Sequence, residues 1–480
     1  MAPTTHVAVD IGTSSATVTC GTIGQDALDV SVVHRFDSRL LDDDNRREWE
    51  LPYLLAEIRH GLAAVTDVTT DVESVGIDGT AAGFGLLADG EPLGNPMRWG
   101  TARPEEVSAR DAFERLGHWR LPVTYYYLTR ERPELVEQAD TLLLAPQLLG
   151  YLLGGDPVGE VTYAISAGLG NARTTSWATD LLGEWGLRTD ILPDMADHGT
   201  AAGRLDEHPF DRAPAVRTVA GHDTSSAVAA IPFGRGDRAF LATGSWFIPG
   251  LELAEPVIAP AAFDAGAENV GGVAGTSRFV RNLKGFSILE RWRRERMAAG
   301  ADVEYDTLLA GAERASPLET IVATTDNRLQ AGGESRSVAE GITAIARETD
   351  QRIPGSDGAV ARCLFESLAV ESAVVLERLC ELADAAPDEL YLVGGGAHNG
   401  LLCQFVADAT GLPVHAGAPD ATALGNLLVQ AVGATTLASI AEGRALVDEH
   451  VPFTTYHPTD PAAWADAAAL MRSLLGYDDG

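Results

Sequence analysis

Three loops rich in glycine and hydroxyl side chains are the segments of this chain best suited to chemistry. The first is Asp10-Ile11-Gly12-Thr13-Ser14-Ser15, where an apolar run delivers a carboxylate into a tight turn. Successive backbone N–H groups in such a turn form an anion-binding nest, and hydroxyls add donors without needing lysine. Asp10 is placed to face a magnesium ion carried by a nucleotide, through water, because Mg2+ keeps several of its waters. A plain β-hairpin turn would use the same residues. The second loop, Thr243-Gly244-Ser245, again follows an apolar run, and the third is Gly394-Gly395-Gly396-Ala397-His398-Asn399. The third is no dinucleotide fingerprint, since Asn399 stands where the motif needs glycine. Three adjacent glycines let a flat base or ribose approach the backbone, which an ordinary strand-to-helix turn rarely requires.

A fourth segment, Gly221-His222-Asp223-Thr224, offers a carboxylate at the end of another apolar run. Moving a phosphoryl group onto a hydroxyl needs in-line alignment, neutralised charge and one base to take the proton. Asp223 has the chemistry of that base. From local sequence alone the simpler explanation is an N-cap for the small-residue helix that follows, Ser225–Ala230.

Composition narrows the classes. The chain has 480 residues, 45% of them hydrophobic, which is enough for a substantial core. At about 150 residues per domain that length allows three small domains or two large ones. Sixty-nine acidic against 35 basic residues leave a formal charge of −34, and Lys284 is the single lysine. A Walker-type P-loop is therefore excluded, and a Schiff-base enzyme would have to use Lys284. So strong an acidic excess argues against nucleic acid or an anionic membrane as partner. Adaptation to a high-salt cytoplasm explains both the acid surplus and the arginine preference. A GC-rich genome explains only the arginine. Cys20, Cys363, Cys380 and Cys403 form no CxxC pair, and the eleven histidines show no HxxxH or HExxH spacing. That pattern fits buried thiols in a reducing compartment, with no dedicated zinc or iron site. The N-terminus lacks the features of a signal peptide, and no apolar run approaches the ~18 residues of a membrane span. A soluble cytoplasmic protein is expected.

The elements that must position these loops are legible in outline. Val7–Ile11, Ala16–Ile23 and Val30–Phe36 read as strands. A helix follows Pro52 with apolar residues at Leu54, Leu55, Ile58, Leu62 and Val65, and then a strand at Val75–Ile77. The opening is β-β-β-α-β. The same grammar restarts past residue 215 with strands Val216–Ala220, Ala239–Thr243 and Leu390–Val393. Helices are expected over Leu283–Met297, Val360–Ala383, Leu401–Ala409 and Ala423–Val432. Two related lobes, 1–214 and 215–480, divide at the Pro/Asp-rich stretch Asp206–Pro214, with a cleft between them. The three loops in this order resemble the two-lobed α/β actin/hexokinase-like (ribonuclease H-like) ATPases, in which ATP lies in a central cleft and hairpin loops hold its phosphates.

At these residues the sequence resembles the FGGY carbohydrate kinase family along its whole length. The elements that carry the resemblance begin with Asp10–Ser15, His34-Arg35-Phe36, Glu48-Trp49-Glu50, Gly76-Ile77-Asp78, Gly221–Thr224 and Thr243–Trp246. They continue with Asn282–Gly285, Arg362–Ala369, Gly394–Asn399, Ala407–Pro413 and Ala421–Asn426. The His-Arg-Phe triplet and the Gly-His-Asp-Thr box are most similar to the members that phosphorylate L-rhamnulose, rather than those for xylulose or glycerol. L-Fuculose, a pentulose, a polyol or a silent binding homologue are the alternatives. The resemblance implies ATP and Mg2+, with Asp223 as proton acceptor and Asp10 facing the metal. It places Ala81, His222, Thr224 and Asn282 beside the sugar. Thr13, Ser14, Ser15, Ala16, Thr17 and Ser245 match phosphate positions, Glu290 a nucleotide-contacting glutamine, and Gly395 and Gly396 the adenosine loop. A monomer or homodimer that meets only small molecules is implied. The departures cluster at the sugar. Asp78-Gly79-Thr80-Ala81-Ala82-Gly83 replaces a family Asp-Thr-Trp-Gly-Val-Asp, Trp99-Gly100-Thr101 replaces Tyr-Arg-Asp, and Pro146-Gln147 replaces Pro-Asp.

Overall fold

The computed structural model describes all residues except 1, 44–45, 82, 100–107, 302, 331–332 and 478–480. In the first half the strands are β1 (Thr4–Ile11), β2 (Ser15–Gly24), β3 (Ala27–Asp37), β4 (Leu40–Asp43), β5 (Arg46–Trp49), β6 (Ser74–Gly79) and β7 (Phe84–Ala88). They continue with β8 (Glu91–Pro92), β9 (Met97–Trp99), β10 (Thr141–Leu144), β11 (Gly170–Asn171), β12 (Ser176–Trp177), β13 (Ala201–Arg204) and β14 (Ala215–Arg217). The second half adds β15 (Arg238–Thr243), β16 (Trp246–Leu253), β17 (Glu268–Gly271), β18 (Ser277–Val280), β19 (Leu283–Lys284), β20 (Leu390–Gly394), β21 (Val414–Gly417) and β22 (Phe453–Tyr456).

Two large sheets share one plan. The first runs β13-β14-β6-β1-β2-β3, and the other contains β22-β21-β20-β15-β16-β18 in matching order. In each, a central hairpin (β1–β2 or β15–β16) has parallel strands along its outer side. Buried central strands read as unbroken apolar runs because both faces are covered. Val7 and Val9 of β1 pack into one core with Leu54, Ile58 and Leu62 of helix Leu51–Val65. Ala8, on the opposite face, packs with Leu424, Leu427 and Leu428 of helix Ala421–Gly433. A third sheet, β10-β7-β9-β5-β4, leans on the first lobe.

Helices Asp223–Ala229 and Ala421–Gly433 cross where the lobes meet. The crossing is backbone against backbone. A Cβ on Gly425 would stand 1.7 Å from the Ser226 carbonyl oxygen, so only glycine fits there.

Three expectations need correction. β4 and β5 intervene before the first helix, and four-residue strands carry too little alternation to be read. The strand expected at Val216–Ala220 is Ala215–Arg217, and it pairs with β6 of the first sheet. Leu283 and Lys284 are not helical. They pair with Phe247 and Trp246, and the helix starts at Phe286.

Candidate active site

The three glycine- and hydroxyl-rich loops are hairpin and strand-end turns, as expected. Ser14 and Ser15 are exposed at the β1–β2 tip, and the Thr13 hydroxyl lies 3.1 Å from that of Thr80. Thr17 stands opposite Asp10 across the hairpin. Ala16 is wholly buried in the core, so its side chain does not face a ligand and only its backbone is left for that role. Between β15 and β16, the Gly244 amide donates to the Trp246 carbonyl at 2.9 Å and Ser245 is exposed.

The three glycines do different work. Gly394 is left-handed at φ 87°, and a Cβ there would stand 2.3 Å from the Thr243 carbonyl oxygen. A Cβ on Gly396 would stand 2.6 Å from Thr243 Oγ1, which accepts from the Gly396 amide at 3.0 Å. Gly395 alone faces open space. Two of the three glycines therefore join the second and third loops to each other, and one is turned outward. Glu290 is half exposed and accepts from Arg293 at 2.8 Å. It acts electrostatically on Tyr305, whose hydroxyl accepts from Asn399 Nδ2 at 3.0 Å, so Glu290 borders the third loop.

Asp10 and Asp78 are register partners on parallel β1 and β6. Burial and then the charge of Asp223 push Asp10 up to about 7. Burial and then Asp10 push Asp78 well above the ordinary carboxylate range. Two like carboxylates side by side cannot both ionise cheaply, so the pair tends to hold a proton. Asp78 Oδ2 accepts from Asn426 Nδ2 at 2.5 Å. Behind it a buried chain continues from Asn426 through Gln430 and Ser74 to His6. Asp10 Oδ1 and Asp78 Oδ1 are buried without a protein partner. Among the described residues no cluster of three metal-ligating side chains exists, so the protein offers no complete metal cage.

Asp223 is the first residue of its helix, with His222 at the N-cap, so its carboxylate is not the cap. Its Oδ1 accepts from the Thr224 amide and from Thr224 Oγ1 at 3.0 Å. The Thr224 hydroxyl is thereby turned to the carboxylate. The Asp223 side chain remains 29% exposed. Burial raises its pKa, opposed by the Thr224 bonds, Arg278 and Arg98. His222 is buried and held neutral, first by desolvation and then by Arg278, Arg120 and Arg98. Arg278 Nη2 donates to His222 Nδ1 at 3.1 Å. A guanidinium only donates, so the imidazole proton sits on Nε2.

The loop after β6 is held by residues no sequence motif announces. Tyr163 donates to the Thr80 carbonyl at 2.7 Å and accepts from the Gly83 amide at 3.2 Å. Its neighbour Glu160 is fully buried and accepts from His198, Thr162, Tyr163 and the Gly221 amide. Burial pushes Glu160 up, but these donors win and hold it ionised. The Thr162 hydroxyl accepts from the His222 amide at 3.1 Å, so one short segment fixes both the loop after β6 and the turn bearing Asp223. Ala81 is buried. Asn282 Nδ2 donates to Glu268 Oε1 at 2.8 Å, and Glu268 is held in turn by a bidentate Arg120. Ile11, Trp49, Gly79, Thr80, Leu149 and Tyr163 line a small apolar recess beside this loop. Ala82, Gly100 and Thr101 lie outside the described residues.

Comparisons with known proteins agree with this geometry. Residues 239–434 match the C-terminal domain of the FGGY family of carbohydrate kinases. A rhamnulokinase from Bacteroides thetaiotaomicron is 34% identical, covering 96% of this chain and 97% of its own. One from Bacillus subtilis is 29% identical over 98% of both. Among solved structures, a xylulose kinase from Rhodospirillum rubrum superposes with a TM-score of 0.78 at 17% identity, covering 98% of both chains. A glycerol kinase from Plasmodium falciparum, with ADP, gives 0.74 at 12% identity, covering 98% of this chain and 97% of its own. The structural neighbours share the two-lobed α/β fold expected from the sequence.

Proposed function

The chain belongs to the FGGY family of carbohydrate kinases, and from that premise we propose that it moves the γ-phosphoryl group of ATP to the 1-hydroxyl of L-rhamnulose. The full-length likeness to rhamnulokinases carries the choice of sugar. The apolar recess supports it, since a 6-deoxyketose has a methyl group to bury and a fully hydroxylated sugar has none.

Asp223 takes the hydroxyl proton as the oxygen attacks. Its raised pKa makes it a better base than an ordinary carboxylate, and its remaining exposure lets a substrate reach it. Thr224 and the fixed turn 221–224 aim it. His222 Nε2–H and the free side of Asn282 are donors for sugar hydroxyls. Ser14, Ser15, Ser245 and the exposed Gly395 backbone are suited to the nucleotide. Mg2+ fits the donor set here. Asp10 and Asp78 each present a buried oxygen lacking a partner, and such a cation, arriving with ATP and its waters, supplies charge neutralisation.

The enzyme is proposed to work in the cytoplasm as a monomer or homodimer, at high salt. None of the four cysteines forms a disulfide, and among the described residues no helix is long and apolar enough to cross a membrane. ADP release over L-rhamnulose, L-fuculose, D-xylulose and glycerol tests the reading. L-Rhamnulose is expected to give the highest kcat/KM. Another sugar in first place overturns the substrate, and no ADP with any of them overturns turnover.

A further inference from the structure

A buried cation stands behind the turn that bears Asp223, with no carboxylate of its own. Arg278, on β18, is 1% exposed, and its hydrogen bonds go to the Gly271 carbonyl, the Ser225 hydroxyl and His222 Nδ1. The carboxylate across from it on β16, Glu252, is taken by Arg238 and Arg444. A charge buried without an opposite charge is expensive, so a fold that keeps one asks for its use.

The bonds around Arg278 have one consistent direction. Ser225 Oγ donates to the Gly271 carbonyl at 2.9 Å, which leaves its lone pairs to accept from Arg278 Nη2. That nitrogen carries two protons, and the second goes to His222 Nδ1 at 3.1 Å. A ring proton on Nδ1 would set one donor against another, so it is held on Nε2. The His222 amide is fixed at the same time by the Thr162 hydroxyl. Nε2 makes no hydrogen bond among the described residues and stands 3.8 Å from Asp223 Oδ1, too far to spend its proton there. A donor and a carboxylate therefore lie side by side. Two oxygens on neighbouring carbons fit that arrangement: a hydroxyl that gives its proton to Asp223, and a second oxygen that accepts from Nε2–H.

We propose that Arg278 is a positioning residue that locks His222 as a donor, and that this donor selects substrates with an acceptor oxygen on the carbon next to the reacting hydroxyl. This rests on the kinase reading. In L-rhamnulose that oxygen is O2, beside the 1-hydroxyl. An ammonium at the same carbon would leave Nε2–H without an acceptor and would meet the charge of Arg278 behind the ring.

Nitrogen-15 spectra of the histidine-labelled protein read the tautomer, with His222→Asn identifying the signal. The wild type should show the Nε2–H form, Arg278→Met a mixture of tautomers, and Arg278→Lys the Nε2–H form again. With L-rhamnulose and MgATP, Arg278→Met should lower kcat/KM for the sugar by about 10- to 100-fold, while the KM for MgATP moves less than about three-fold. Arg278→Lys should recover most of the loss, which a packing defect would not allow. The acceptor requirement is tested with two competitors of L-rhamnulose at neutral pH, the 6-deoxyhexitol made by reducing it and the counterpart with an ammonium at C2. The hydroxyl compound should inhibit at least about ten-fold more tightly. A wild-type ring with its proton on Nδ1 overturns the proposal, as does equal inhibition, or none, by the pair. If Arg278→Met does not fold, the wild-type tautomer and the two competitors decide. If the wild type releases no ADP, the kinase reading fails while the tautomer still judges Arg278.

Discussion

The two sides of the cleft are built from different materials. The side proposed for phosphate is backbone: tight turns at residues 12–14, 243–246 and 394–396, with glycines where loops touch and hydroxyls at the tips. The side proposed for the sugar is rich in buried charged groups. Glu160 and Arg278 arrive from separate segments and hold Gly221 and His222 beside Asp223, and Arg120 pairs with Glu268. A backbone nest depends on a few consecutive residues and little on their side chains. A side-chain network depends on every member, because each buried polar group left alone costs its desolvation. The first side should therefore tolerate salt and substitution at its exposed hydroxyls, though not at the glycines where its loops touch, and the second should tolerate neither.

The largest effect should come from the base. Asp223→Asn keeps size and hydrogen bonding but cannot take a proton, so kcat should fall by about 10²-fold or more. ATP and sugar affinities, measured by calorimetry, should stay near wild type. Turnover within a few-fold of wild type would remove Asp223 from that role.

Glu160→Gln tests the network behind it. The amide cannot accept from all five donors, and the loss of a buried charged acceptor should cost about 2–3 kcal/mol of stability. kcat should fall roughly ten-fold as the Asp223 turn loosens. Gly396→Ala is the counterpart on the phosphate side. It should raise the KM for ATP while leaving that for sugar unchanged, because the Cβ would press on Thr243 of the second loop.

The pH profile separates charge from shape. Asp223 must be ionised to act and its pKa is raised, so kcat/KM should fall on acidification at a higher pH than an ordinary carboxylate would give. Removing a neighbouring cation with Arg98→Gln raises that pKa further and should shift the acid limb upward. A downward shift contradicts the electrostatic account. For Asp10, pushed up to about 7, and for Asp78, pushed well above the ordinary carboxylate range, the folded state gains stability as pH falls and loses it as pH rises through those folded values. Asp78→Asn should accordingly raise Tm by a few degrees at pH 8 and leave it unchanged at pH 5.

Salt should give the smallest effect per residue. Screening shortens from about 30 Å at 0.01 M to about 3 Å at 1 M, relieving repulsion in a chain of charge −34. Tm should climb over that range, while the KM for MgATP rises less than two- to three-fold, as the proposed backbone nests for the phosphates require. A flat Tm would point to a GC-rich genome as the source of the arginine.

What the sequence determined by itself is whatever depends on neighbouring residues. Asp10–Ser15, Thr243–Ser245 and Gly394–Asn399 are turns whose chemistry is local, and the apolar runs before them are central strands because both faces are covered. The Gly-His-Asp-Thr turn at Asp223 was legible for the same reason. Tertiary structure decided the rest. Tyr163 reaches Thr80 across 83 positions, Asn426 reaches Asp78 across 348, and Arg278 reaches His222 across 56. Nothing in the local patterns around those residues announces the pairing. Ala16 shows the converse: it sits inside a phosphate loop by sequence, yet its side chain lies in the core because successive residues of a strand point to opposite faces. A turn carries its geometry in its own dihedrals, whereas a buried charge finds its partner only when the chain has folded around it.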